Sequence, residues 1–72
     1  MKRSFKLMDL GCAHCAMKME DAVKKIEGVK SASVSFMMQK LSIEAEEEAF
    51  EEILDKAQKA ITRIERKCVI ER

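Results

Sequence analysis

Seventy-two residues make one small domain, and a domain of that size buries only about 60% of the surface its unfolded chain exposes. Fourteen basic and thirteen acidic side chains nearly cancel, to +1, and there is no Trp or Tyr beside three Phe, which argues against a nucleic-acid binder with its basic excess and stacking aromatics. Hydrophobic residues at 47% suffice for a globular core. No apolar run approaches the roughly 18 residues of a membrane helix, and short apolar pieces broken at Lys6 and Asp9 follow the basic start, so neither membrane insertion nor a signal peptide is expected.

Ser4 to Met8 reads as a strand with Phe5 and Leu7 on one face. A helix is predicted from about His14 to Glu27, with Cys15, Met19, Ala22, Val23 and Ile26 inside and the pairs Glu20/Lys24 and Asp21/Lys25 outside. Gly28 stands where a helix end wants a left-handed residue. Val29 to Phe36 alternates Ala32, Val34 and Phe36 with serines, and Leu41, Ile43 and Ala45 alternate again after a turn near Met38-Gln39-Lys40. From Glu46 to Lys67 the charge runs from acidic to basic, as the dipole of one long helix favours. Phe50, Ile53, Leu54, Ala57, Ala60, Ile61 and Ile64 form its buried stripe, and no strong capping residue precedes it. Cys68-Val69-Ile70 reads as a last short strand. The order β-α-β-β-α-β predicts one α+β domain over residues 1–72, a ferredoxin-like sandwich whose four-stranded antiparallel sheet carries both helices on one face.

The chemistry is concentrated in Cys12-Ala13-His14-Cys15, between the first strand and the first helix. Three cysteines are too few for a disulfide scaffold, and C-x-x-C without a secretion signal points to metal binding or redox chemistry. Two intervening residues let both sulfurs face one point, and the free N–H groups and positive dipole end of a helix start favour thiolate, a soft ligand for Cu(I) or Zn(II) rather than Mg(II) or Ca(II). A closed structural zinc site needs four ligands, whereas Cys12, His14, Cys15 and Cys68 are the whole Cys and His complement; an open, exchangeable site is expected. A small thiol oxidoreductase is the competitor from another class, but the chain is short for a thioredoxin-like fold and has no Pro.

Leu10-Gly11-Cys12-Ala13-His14-Cys15-Ala16, Lys18-Met19-Glu20, Gly28-Val29 and the two stretches Ala32–Phe36 and Gln39–Ile43 together make the chain resemble a heavy-metal-associated domain along nearly its whole length. It is most similar to the N-terminal domains of bacterial zinc/cadmium-transporting P-type ATPases; free-standing copper chaperones and mercury-binding proteins share the family. The resemblance implies a surface metal site on Cys12 and Cys15. Leu10 stands where copper members usually carry Met, and Gly11 where many zinc and cadmium members carry Asp. Leu10 and the hairpin favour Zn(II) or Cd(II), with Pb(II) also suited and Cu(I) the alternative.

His14 adjoins Cys15, and consecutive helix positions diverge by about 100°. It is read as an exposed residue tuning the local field, with an imidazole ligand as the other reading. Cys68 likewise has two readings. In the resembling fold its loop lies beside the C-x-x-C loop, where it would supply a third thiolate; its alternation with Ile70 instead suits the core. The expected role is a monomeric, cytoplasmic metal-binding module, not itself an enzyme. It would regulate or feed a heavy-metal-exporting P-type ATPase through that protein's core domains or a partner metal-binding domain. A free-standing Cu(I) chaperone is the alternative.

Overall fold

Period-2 segments too short to stand alone need a sheet and a covering layer, and the computed structural model, which describes residues 1–71, supplies both. Strand β1 (Lys2–Met8) is followed by helix α1 (Ala13–Lys24), strands β2 (Val29–Ser35) and β3 (Lys40–Ala45), helix α2 (Phe50–Ile64) and strand β4 (Val69–Glu71). The sheet order is β2-β3-β1-β4, and every pairing is antiparallel. This is the expected ferredoxin-like arrangement. Among the described residues no helix is long and apolar enough to cross a membrane.

The inward residues Leu7, Leu41, Ile43 and Ile70 meet Met19 and Val23 of α1 and Ile53, Ala57 and Ile61 of α2 in one buried cluster. Each large aliphatic side chain there contributes about 1.5–3 kcal/mol by leaving water. Phe50 anchors the start of α2 to β1: its ring centroid lies 6.4 Å from that of Phe5, and the Arg3 guanidinium sits 5.6 Å from the same ring. The outer strand β4 is held on its free side by Gln58. The side-chain carbonyl accepts from Ile70 N at 2.8 Å and the amide donates to Cys68 O at 3.2 Å, so the exposed edge is partly satisfied from within.

Several boundaries depart from the sequence expectation, each for a local reason. Helix α1 stops at Lys24, short of Glu27, because the chain tightens: Lys25 N bonds Ala22 O and Ile26 N bonds Val23 O. Gly28 then takes φ +97°, the left-handed conformation expected of it. The second helix is shorter than Glu46–Lys67. A 3-10 turn, Glu47–Ala49, leads into it in place of a side-chain cap, and Glu65 ends it in extended geometry. Strand β2 ends at Ser35, whose hydroxyl accepts from Met38 N; Phe36 therefore lies exposed in the turn rather than inside.

Candidate metal centre

The chain leaves β1 through Asp9, a non-glycine residue at φ +61°. Leu10 then plunges into the core at 5% exposure, and Gly11 and Cys12 rise to the start of α1. Cys12 is the helix cap: its backbone is extended, its Sγ accepts from Cys15 N at 3.0 Å, and its carbonyl accepts from Ala16 N at 3.1 Å. A sulfur thus takes the place an Asp or Ser oxygen usually holds at a helix start. The Cα atoms of Cys12 and Cys15 are 5.2 Å apart, and their sulfurs are joined as a disulfide. Both residues are half-buried. Reduction leaves two sulfurs side by side at the positive end of α1, where negative charge is stabilised. The donor chemistry fits a soft metal ion held as cargo.

The remaining sequence candidates do not join that pair. His14 is exposed on the first turn. Cys68 has no accessible surface and lies in the hydrophobic cluster; of its two readings this placement matches the core one, and the third thiolate is not brought to the site. Burial, then the negative charges of Glu65 and Asp9, push its thiol pKa up. The alternation Cys68-in, Val69-out, Ile70-in explains this placement. Among the described residues, no three Cys, His, Asp or Glu side chains form a group able to hold a metal ion.

Two contacts were not legible beforehand. The Glu65 carboxylate lies against Gly11: a Cβ there would be 3.5 Å from Glu65 Oε2. That is ordinary contact distance, reached by a carboxylate arriving from the far end of α2, 54 positions along the chain. Gln39 reaches from the β2–β3 turn to the main chain of Leu10.

A family model described as the heavy-metal-associated domain matches residues 4–67. Over 57 residues the chain is 35% identical to a zinc/cadmium/lead-transporting P-type ATPase of Shigella sonnei, covering 79% of this chain and 8% of that protein. The chain therefore spans a small fraction of that ATPase's length. Over 47 residues it is 34% identical to the copper chaperone CopZ of Enterococcus hirae, covering 65% of this chain and 68% of the chaperone. Among solved structures, the N-terminal domain of ZntA in its apo form superposes with a TM-score of 0.73 at 28% identity, covering 99% of this chain and 92% of that one.

Proposed function

The chain belongs to the heavy-metal-associated domain family, and from that premise we propose that it binds Zn(II), Cd(II) or Pb(II) through Cys12 and Cys15 on the cytoplasmic side of a membrane. In this reading it is the regulatory or metal-delivery domain of a heavy-metal-exporting P-type ATPase whose catalytic and membrane parts lie outside this chain. The observation that carries the reading is the Cys12–Cys15 pair at the start of α1, Cα atoms 5.2 Å apart, and the likeness to a zinc/cadmium/lead-transporting ATPase supports the choice of a divalent ion. Zinc takes about four ligands from sulfur, nitrogen and carboxylate oxygen. Two thiolates leave such an ion positions for further ligands, whereas thiolates alone satisfy Cu(I).

The two sulfurs close no cage, so coordination positions remain for water or for a partner's ligand. That suits handing metal on. The core folds around aliphatic side chains, so apo and loaded forms share one fold. The sequence likeness to a copper chaperone supports the second reading, Cu(I) delivery.

Competitive titration of the reduced protein with Cd(II), Zn(II) and Cu(I) separates the two. Wild type takes one divalent ion with the charge-transfer absorbance of two thiolates, and Cys12→Ser/Cys15→Ser takes none while keeping its circular dichroism. Weak binding of both divalent ions beside tight Cu(I) binding would favour copper delivery instead.

A further inference from the structure

Gln39 occupies the last position of the turn between β2 and β3 with φ +54°. Side chains with a Cβ resist that conformation, and Gly or Asn suits it best. Within the turn the glutamine side chain makes one bond, to Phe36 O. What glutamine adds is reach. Its Oε1 accepts from Leu10 N at 3.2 Å, and its Nε2 donates to Leu10 O at 3.1 Å and to Phe36 O at 2.9 Å. Its own carbonyl accepts from Leu7 N at 2.7 Å. This amide orientation is the one that satisfies all three side-chain contacts, since the reverse would set its oxygen against two carbonyls.

These bonds begin where the sheet gives out. Strand β1 ends at Met8 and Asp9 turns the chain away. The side-chain amide then offers Leu10 the donor and acceptor that a neighbouring strand would have supplied, while the Leu10 side chain is gripped by the core. On the other side, Cys12 is tied to α1 by its carbonyl and its sulfur. Gly11 is left as the single unanchored link between two fixed points.

Building on the metal-binding role of Cys12 and Cys15, we infer that Gln39 is a positioning residue for that pair: by clamping the main chain of Leu10 it holds the loop so that both sulfurs are presented together before metal arrives. A site ordered in advance loses less freedom on binding. Partners that hydrogen-bond metal ligands directly typically matter 10- to 100-fold in affinity; Gln39 acts through the main chain of Leu10, so the low end of that range, about tenfold, is expected.

The test uses the full chain with Gln39→Gly and Gln39→Asn. Glycine and asparagine both tolerate the turn's positive φ, and neither reaches Leu10 as glutamine does, so the fold is kept while the clamp is lost. Three quantities are measured: melting of the reduced apo protein, Cd(II) affinity against a competing chelator, and the equilibrium of the thiol pair with glutathione. In the last, the protein dithiol and one glutathione disulfide give the protein disulfide and two glutathione thiols. Both variants should melt as wild type does, bind Cd(II) about tenfold more weakly, and form the Cys12–Cys15 disulfide less readily, because a loosened loop lowers the concentration of each thiol seen by the other. Wild-type affinity and an unchanged glutathione equilibrium would return Gln39 to being a turn residue. A drop in melting temperature that accounts for the lost affinity would make it scaffold rather than positioning residue. If wild type itself takes no Cd(II), the metal-binding role falls, while the metal-free glutathione equilibrium still judges the clamp.

Discussion

Cys68→Ser decides whether the third sulfur serves the core or the metal. The thiol is fully buried beside aliphatic neighbours. A hydroxyl in its place keeps the shape but must find a partner, and a buried polar group left without one costs about 1–3 kcal/mol. Unfolding entropy of about 2.1 cal/mol/K per residue over 72 residues comes to about 150 cal/mol/K. A loss of about 2 kcal/mol therefore lowers the melting temperature by about 13 °C. Differential scanning calorimetry of the reduced apo proteins measures that shift. Cd(II) titration of the same samples, followed by sulfur-to-cadmium charge-transfer absorbance, should give the intensity of two thiolates for both wild type and variant. An absorbance falling from three thiolates to two, with melting unchanged, would refute the reasoning and make Cys68 a ligand.

The two glycines should respond in opposite directions. Gly11 lies outside the left-handed region and an added Cβ meets only the flexible Glu65 carboxylate at 3.5 Å, so Gly11→Ala should stabilise by about 0.4–1 kcal/mol through the unfolded chain. Gly28→Ala forces a Cβ into φ +97° and to within 3.4 Å of Ile53 Cδ1 and should cost about 1 kcal/mol or more; urea midpoints of equal size and sign for both would contradict this. Stability should also fall at alkaline pH because burial first, then Glu65 and Asp9, raise the Cys68 thiol above its ordinary 9.0. The folded state keeps that proton to higher pH than the unfolded state, so the contribution is complete below about 9 and is lost as pH rises through the folded value. Reduced wild type should therefore lose more stability between pH 8 and 10 than Cys68→Ala, and equal losses would remove the thiol as the cause.

Much of this domain was written into stretches of fewer than twenty residues. Alternation at Phe5/Leu7 and at Leu41/Ile43/Ala45, and the helical stripe from Phe50 to Ile64, set the elements and hence the βαββαβ order, because side-chain periodicity is a property of the local backbone. The spacing Cys12-x-x-Cys15 at a strand-to-helix junction was equally local, and one helical turn brings its two sulfurs together. The ends of elements were less legible, since they depend on where the chain must turn to reach its next partner, as at the end of α1 after Lys24 and the end of β2 before Phe36. Tertiary packing alone decided the surroundings of the sulfurs. Cys68 could serve core or metal by its sequence, and the β1–β4 pairing with α2 above it turned it inward. Glu65 meets Gly11, and Gln39 meets Leu10, across 54 and 29 positions. Contacts at such separations follow from how β1, the β2–β3 turn and the end of α2 converge at one end of the sheet, and no local rule of propensity or spacing encodes that convergence.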